Sequence, residues 1–201
     1  MTLRFAMVKK KEVAQLLTAN HYIGAQCADP TYVFAWLGPG GLFGDTGEPE
    51  AAALFAPSAA RAWGSNAIEL TRLVRSPGMR QPLTRFLSQC FSFIRSRGRF
   101  DLVIAYADPS AGHHGGIYQA GNWIYVGMSS SGTVWVNGIT GKRSSQRSFD
   151  QSRYREADGW EKIKTAPKYT YVYPLTKLSR TKWAGKSLPF PKPLKPARRV
   201  E

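Results

Sequence analysis

The segment 68–107, IELTRLVRSPGMRQPLTRFLSQCFSFIRSRGRFDLVIAYA, determines the fold class. Residues 68–74 (IELTRLV) alternate apolar and polar side chains, which predicts a strand with Arg72 on the same side as the apolar isoleucine and leucine. Residues 83–97 place apolar side chains at helical spacing, after a proline that suits a first turn and before a glycine that suits a helix end. Residues 101–107 (DLVIAYA) predict a strand covered on both faces. The order strand, helix, strand indicates an α/β domain.

Further elements are predicted on both sides of this unit. A short amphipathic helix is expected at Lys10–Leu17, and a brief helix at Ile117–Asn122 should be followed by a turn at Trp123–Val126. Strands are predicted at Tyr32–Leu37, Ala51–Ala56, Thr133–Val136 and Tyr169–Tyr173. We therefore predict a mixed sheet flanked by helices over residues 1–175 and a basic, Pro-rich, extended C-terminal arm over residues 176–201.

The charge distribution indicates a polyanionic partner. The net charge is +15, and residues 142–201 hold 16 Lys or Arg against 5 Asp or Glu, whereas residues 1–141 hold 12 against 8. An excess concentrated in one part of the chain favours nucleic acid, although a solvated basic face would have the same composition.

Other features narrow the class of protein. No apolar run reaches the roughly 18 residues that a membrane helix needs, and the first residues lack the order of a secretion signal. The two cysteines, Cys27 and Cys90, form no disulfide framework and no CxxC pair. We expect a cytoplasmic protein without a membrane partner, as a monomer or a homodimer.

Two motifs and one dipeptide carry a family resemblance. They are Glu69–Ser76 (ELTRLVRS), Ala105–Gly127 (AYADPSAGHHGGIYQAGNWIYVG) and His21-Tyr22. Together they resemble the Mom family of phage DNA-modification proteins over roughly residues 18–175. The resemblance implies a diverged GNAT acetyltransferase-like fold and an enzyme that converts adenine in double-stranded DNA to N6-carbamoylmethyladenine, which protects phage DNA from restriction in the host cytoplasm.

The resemblance also suggests where a donor binds. GNAT proteins hold the coenzyme A pyrophosphate with an (R/Q)-x-x-G-x-(G/A) loop, and Arg75, Ser76 and Gly78 fit its first half. Arg80 stands where the pattern has glycine or alanine, and its guanidinium could bind phosphate directly. The expected donor is acetyl-CoA or another acyl or glycine-derived compound.

Four residues are predicted to form the chemical centre: His21, Tyr22, Asp108 and Tyr118. Asp108 follows a buried strand, at the sheet edge where α/β proteins bind ligands, but an aspartate before proline can also organise a turn. His21 could be a base or ligand, or a capping histidine. Tyr118 occupies the place of a GNAT general acid, or is a core aromatic.

A metal site is a further possibility. His21, Asp108 and His113 would make a mixed histidine and carboxylate site suited to iron, which the resemblance also suggests. Adjacent His113 and His114 diverge and cannot act as a two-histidine clamp. Gly112, Gly115 and Gly116 would let the backbone approach a substrate, or serve a tight loop.

DNA contacts are predicted on two kinds of residue. Asn122 could read the adenine edge and Trp123 could stack an extruded base, although aromatic residues are more often core. Phosphate contacts are predicted for Lys142, Arg143, Arg147, Arg153, Lys162 and Lys164. Two rival interpretations stay open: a GNAT-type acyltransferase that acts on a protein or RNA amine, and a non-catalytic nucleic-acid-binding protein.

Overall fold

A computed structural model describes residues 3–21, 29–40, 47–58, 60–141, 143–145 and 159–192. In chain order the strands are β1 (Arg4–Met7), β2 (Tyr32–Leu37), β3 (Pro49–Pro57), β4 (Ala67–Arg75), β5 (Leu102–Ala107), β6 (Ile124–Met128), β7 (Gly132–Asn137), β8 (Arg143–Ser145), β9 (Trp160–Thr165) and β10 (Tyr169–Pro174). The α-helices are α1 (Ala14–Asn20), α2 (Leu83–Ser96), α3 (Gly116–Ala120) and α4 (Lys177–Ala184). Short 3-10 turns occupy Lys10–Val13, Arg61–Trp63 and Pro109–Ala111.

Seven strands form the main sheet in the order β1-β2-β3-β4-β5-β10-β6. The pair β4 and β5 is parallel and the other neighbours are antiparallel. A parallel pair needs a crossover connection, and α2 supplies it. The predicted α/β class with a mixed sheet flanked by helices is therefore confirmed.

Strands β4 and β5 separate after a short contact. Their ladder joins Ala67–Glu69 to Leu102–Ile104, while β4 stays paired to β3 along its length and β5 to β10. Because each strand follows its other neighbour, the two diverge towards their carboxyl ends. This divergence opens a wedge in the middle of the sheet.

A β-bulge in β4 changes which side chains share a face. Leu54 lies opposite Arg72 and Phe55 opposite Leu70, so Thr71 is the extra residue. Leu70 packs into the core beneath α2, but Leu54, the neighbour of Arg72, packs under α1. The predicted placement of Arg72 on the same side as Leu70 is wrong, since a bulge shifts the alternation by one residue.

The two faces of the sheet are covered by different helices. Helix α2 buries an apolar stripe against one face: Phe86, Leu87, Cys90, Phe91 and Ile94. On the other face Val13, at the end of the first 3-10 turn, and Leu17 of α1 cover β2 to β4. Beside it, Trp183 of α4 packs with Trp63 over β5.

A second sheet of three strands, in the order β8-β7-β9, occupies the chain between β6 and β10. It begins beside the carboxyl end of β5, since the Ser129 N–H donates to the Lys168 carbonyl at 2.8 Å and Tyr169 lies opposite Ala107. The three-stranded insert therefore begins at the same end of the main sheet at which the wedge opens.

The C-terminal segment differs from its prediction. Helix α4 lies within 176–201, which was expected to be extended throughout. Thr176 caps it by accepting the Ser179 N–H at 3.1 Å, and the prolines that suggested an extended chain begin only at Pro189. Residues 193–201 lie outside the described residues, and the division of the chain at 175 stays a prediction.

Residues 124–128 form strand β6, where the sequence predicted only a turn at Trp123–Val126. Strands β1, β8 and β9 were not predicted. The charged residues of β9, WEKIKT, give it little apolar alternation, and β1 is only four residues long.

Candidate functional site

The wedge between β4 and β5 holds a cleft of about 500 Å³. Leu70–Leu73 of β4 line one wall, and Tyr106, Ala107 and Asp108 line the other. Asn20 and His21 close it from the end of α1, and the loop and helix after β5 contribute Gly112 to Tyr118. Three of the four residues predicted as the chemical centre, His21, Asp108 and Tyr118, are thus brought together, and Tyr22 lies outside the described residues.

His21 directly follows α1 and is positioned by it. Its backbone N–H donates to the Leu17 carbonyl at 2.9 Å, and buried Leu17 fixes the helix to the sheet. Burial, the Arg72 guanidinium and His113 together lower the pKa of His21 to about 4. The imidazole is therefore neutral near pH 7, and its lowered pKa makes it a weaker base than an exposed histidine.

Asp108 organises the turn after β5 and also faces the cleft. Its Oδ1 accepts the Ser110 N–H at 3.0 Å and the Ser110 hydroxyl, and its Oδ2 lies 3.5 Å from the Lys168 ammonium. Although burial acts in the opposite direction, the Ser110 hydrogen bonds and Lys168 hold the pKa of Asp108 below its ordinary value. The carboxylate is ionised and fixed, so the predicted turn role and a place in the site coexist.

The loop before α3 is held from beneath by a tyrosine of β10. The Tyr171 hydroxyl donates to the His114 carbonyl at 2.6 Å, and Gln119 Nε2 donates to the same carbonyl at 3.2 Å. Gly115 has φ +83°, and a Cβ there would lie 2.4 Å from the Tyr171 ring. Only glycine allows this close approach, which sets the path of the loop across the cleft.

Tyr118 lies at the base of the cleft. Its ring is buried, and the ring centroid lies 4.9 Å from that of Trp123 and 5.1 Å from that of Tyr171. Tyr118 is therefore both a core aromatic residue and a residue that lines the cleft, two alternatives between which the sequence did not decide.

The predicted metal ligands line one cleft without forming a metal site. His113 is exposed and lines the cleft, where its backbone N–H donates to the Asp108 carbonyl at 3.0 Å and its side chain contributes to the lowered pKa of His21. Over the described ranges, no group of three or more His, Cys, Asp or Glu side chains is arranged to hold a metal ion. The arrangement gives no support to the predicted iron site.

Sequence reasoning missed three charged residues around the site. Arg72 lines the cleft beside His21, with Nη1 donating to the Thr71 carbonyl at 2.6 Å. Glu69 accepts the Ser58 hydroxyl at 3.2 Å, and burial raises the pKa of Glu69 against the opposing effects of Ser58, Lys168 and Arg72. A charged residue within an otherwise apolar strand was the available signal for Arg72 and Glu69, whereas nothing local marks Lys168.

The predicted donor loop lies just outside the cleft. Leu73 and Leu83, which flank the loop, line the cleft, whereas Arg75, Ser76, Gly78 and Arg80 do not. The Ser76 hydroxyl is bonded to Glu50, so it does not face a donor as predicted. Arg75 and Arg80 are exposed, and a Cβ at Gly78 would meet nothing within 4 Å.

The first turn of α2 is open to an anion. Its N-cap is Pro82, and no side chain caps the helix. Uncapped N–H groups at the start of a 14-residue helix attract phosphate, and Arg80 adds a positive charge nearby. These groups make the start of α2 a candidate site for a phosphate group.

Two predicted adenine contacts are not brought to the cleft. Trp123 is 2% exposed and packs against Phe91 and Tyr118, so it is a core residue and not a stacking platform for a base. Its buried Nε1 has no hydrogen-bond partner among the described residues. Asn122 is exposed in a turn with φ +59° and does not line the cleft.

Three of the six basic residues predicted to bind phosphate lie in strands of the three-stranded insert: Arg143, Lys162 and Lys164. Lys162 and Lys164 are exposed on one face of β9, and Lys162 Nζ lies 5.9 Å from the centroid of the Trp135 ring. Arg143 begins β8, and its side chain is outside the described part. Lys142, Arg147 and Arg153 lie outside the described residues.

The splayed sheet, the bulge in β4 and the α2 crossover define an acetyltransferase-like protein, and solved structures share this fold. The ribosomal-protein-S18-alanine N-acetyltransferase from Escherichia coli is 11% identical, with a TM-score of 0.52 over 87% of this chain and 95% of that one. A Bacillus subtilis acetyltransferase in complex with CoA is 11% identical, with a TM-score of 0.50 over 87% and 100%. Aminoglycoside 6'-acetyltransferase type Ii is 14% identical, with a TM-score of 0.51 over 86% and 97%.

The chain belongs to the Mom protein family, whose sequence pattern matches residues 2–192. The match extends through α4, beyond the range over which the resemblance was recognised. No curated protein is similar enough to count as a match. In the described part of the chain, no helix is long and apolar enough to cross a membrane.

Proposed function

We propose that this protein is a transferase that modifies the N6 position of adenine in double-stranded DNA with a carbamoylmethyl group, and so protects phage DNA from restriction in the host cytoplasm. The observation that carries the proposal is the cleft in the β4–β5 wedge, where a neutral imidazole, a fixed carboxylate and a guanidinium meet. Membership of the Mom family and the acetyltransferase fold support a DNA-modification or acyl-transfer role.

The cleft and the charge together suit a nucleotide in a polyanion. A volume of about 500 Å³ lies within the range of small-molecule sites, and an adenine base is small enough to enter it. Because N6 is paired inside the duplex, the nucleotide must leave the stack before it reacts. The net charge of +15 favours binding of the surrounding phosphates.

The donor that fits best is an acyl-CoA. The open first turn of α2 and Arg80 would hold its phosphates, and Leu73 and Leu83 would line the path into the wedge. When bound, it supplies a two-carbon acyl group as a reactive thioester. Solved acetyltransferases of this fold bind CoA, including the Bacillus subtilis protein.

His21 is positioned to accept the proton of the reacting amine. A neutral imidazole at the mouth of the cleft can accept the proton that N6 loses when it forms a new bond. Asp108 would orient the exocyclic amine by accepting its other hydrogen, and the Tyr118 hydroxyl would donate to the leaving atom. Burial and the Arg72 guanidinium keep His21 neutral, and Arg72 would stabilise negative charge in the transition state.

The bond that joins the added group to N6 distinguishes two possible products, an amide and an alkylated amine. Transfer of an acetyl group to N6 gives an amide, whereas a carbamoylmethyl group is attached through an alkyl carbon. The alkyl product needs a donor or a further step beyond simple acyl transfer, such as a glycine-derived compound. The mass of the modified nucleoside distinguishes the two products.

A second candidate is acyl transfer to a protein or RNA amine. The shared fold favours it, since the Escherichia coli relative is named for acetylation of a ribosomal protein. This candidate differs from the proposed function in the acceptor, which is a protein or RNA amine, and shares the same donor chemistry.

Restriction of plasmid DNA tests the proposed acceptor. Plasmid from cells that express the protein should resist restriction enzymes whose sites contain adenine, and plasmid from cells that express Asp108→Asn or His21→Gln should be cut. Both substitutions preserve side-chain size, so soluble variants report on chemistry. Full cutting of plasmid made with soluble wild-type protein would contradict DNA modification and favour the protein or RNA acceptor.

Binding of coenzyme A tests the proposed donor separately. Titration calorimetry with CoA should give binding to the wild-type protein and an affinity about tenfold lower for Arg80→Ala, since one charge-assisted contact contributes roughly 1.5 kcal/mol. Arg97→Ala, at the opposite end of α2, is the matched control and should bind CoA like wild type. Equal affinities for the two variants would contradict the assignment of Arg80.

A further inference from the structure

Helix α4 carries an arrangement of charge that neither the cleft nor the predicted DNA contacts explain. Two ammonium groups converge on one indole, since Lys182 Nζ lies 5.9 Å and Lys186 Nζ 4.8 Å from the centroid of the Trp183 ring. Both lysines are exposed and Trp183 is half-buried. The ring thus fixes two positive charges at one place on the surface.

Among the described residues, no carboxylate forms an ion pair with these two lysines. Residues 162–200 contain no Asp or Glu. A cation above an exposed aromatic ring gains about 0.5–1 kcal/mol, which is comparable to the repulsion of two close charges in water. An anion that binds between the lysines would remove that repulsion.

Three aromatic side chains connect the pair to the cleft. Trp183 packs on Trp63 with ring centroids 5.5 Å apart, and Trp63 Nε1 donates to the Tyr106 hydroxyl at 2.9 Å. Tyr106 in turn lines the cleft. A continuous set of packed side chains therefore leads from the two ammonium groups to the wall of the site.

We propose that Lys182 and Lys186, held over Trp183, bind phosphates of duplex DNA next to the nucleotide that enters the cleft. The proposal rests on DNA being the substrate, and it adds a second contact surface on the side of the sheet that α4 covers. The fixed phosphate spacing of a DNA strand suits charges that are held by a ring, because ordered cations lose little side-chain entropy on binding. Such contacts position the duplex and read no sequence.

The test compares two pairs of aromatic-bound cations. The double variant Lys182→Gln/Lys186→Gln removes the proposed surface. The control double variant Arg97→Gln/Arg99→Gln removes two cations that also lie over rings, with Arg97 Cζ 4.7 Å from Phe93 and Arg99 Cζ 4.9 Å from Phe100. The control pair follows the end of α2, roughly 20 Å along the helix from the turn that lines the cleft.

Affinity for a labelled duplex is measured by fluorescence anisotropy at several salt concentrations, with the full-length chain. Each phosphate contact contributes about 0.9 to the slope of log K against log salt, so the α4 double variant should lose about 2 in slope and bind roughly tenfold more weakly at moderate salt. The Arg97/Arg99 control should keep the wild-type slope. Lys182→Arg/Lys186→Arg should restore the wild-type slope, and matching thermal unfolding of all variants shows that the fold is intact.

Three results would overturn the proposal: an unchanged slope in the α4 variant, an equal loss in the control, or a loss of binding to anionic lipid vesicles without a loss for DNA. The proposed function fails differently. If the wild type binds duplex with the α4-dependent slope but leaves plasmid adenine unmodified, the surface stands and the enzymatic role does not. If plasmid is modified while the α4 variant binds like wild type, the surface is wrong and the role stands.

Discussion

At the scale of single residues, the burial of His21 links stability to pH. The unfolded chain takes up a proton on His21 near the ordinary pKa of 6.5, whereas the folded pKa is about 4. Between these values the unfolded state binds the proton more readily, so the stabilisation is complete above pH 6.5 and is lost as the pH falls towards 4. We expect the melting temperature of wild type to fall more than that of His21→Gln over this interval, in calorimetric scans. Parallel decreases would contradict burial of a neutral imidazole.

Two glycines of the loop that crosses the cleft provide a matched pair. Both have positive φ, +75° at Gly112 and +83° at Gly115, but a Cβ meets nothing within 4 Å at Gly112 and the Tyr171 ring at 2.4 Å at Gly115. We expect Gly112→Ala to cost about 1 kcal/mol from backbone strain, and Gly115→Ala roughly 2–4 kcal/mol because overpacking is added. Urea unfolding measures both. Equal costs would show that Tyr171 does not hold this loop.

Some residues in and near the cleft could be predicted from the local sequence pattern, and others could not. His21, Asp108 and Tyr118, which line one cleft, could be singled out because each lies in or directly after a recognisable element and belongs to a family motif. Arg72 was seen in the pattern but placed on the wrong face, because the alternation continues only until a bulge and nothing in ELTRLV marks the extra residue. Trp123 illustrates the opposite error, since an aromatic residue near a site is recognisable from sequence but its burial depends on α2 and β10.

At the scale of elements, strongly patterned segments were predicted well. Strand β2 and the start of α2 agree to the residue, because six consecutive strand formers and a proline-bounded apolar stripe leave little choice. The errors are β1, β6, β8, β9 and α4, whose residues carry weak patterns and acquire structure from neighbouring strands or from a cap. The intrinsic propensity of a segment determines its secondary structure only where contacts with the rest of the fold do not override it.

The segment after α4 supports the site loop from outside, and truncation should show this. The Leu188 N–H donates to the Tyr125 carbonyl at 2.9 Å, Phe190 stacks on Tyr171, and Gln119 donates to the Pro191 carbonyl at 3.2 Å. A chain that ends at Gly185 should therefore melt about 5 °C below one that ends at Lys192, which corresponds to roughly 2 kcal/mol. Thermal unfolding compares the two chains. Equal melting temperatures would contradict a structural role for residues 186–192.

At the scale of the whole molecule, the fold places its charge around one opening. The wedge is formed by strand divergence, the three-stranded insert with Lys162 and Lys164 begins beside Asp108, and α4 reaches the cleft through Trp63. The sequence indicated a basic C-terminal region and a site after β5. It contained no signal that the two would adjoin, because that depends on the pairing of β10 between β5 and β6.

The measurement that tests the central claim most directly is the mass of deoxyadenosine in plasmid DNA from cells that express this protein. Nucleosides from wild-type cells are compared with those from cells that express Asp108→Ala, after soluble, folded protein is confirmed in both. We expect a heavier deoxyadenosine in the wild-type sample only, with the added mass of a carbamoylmethyl group. Unmodified deoxyadenosine in both samples would contradict DNA modification by this cleft.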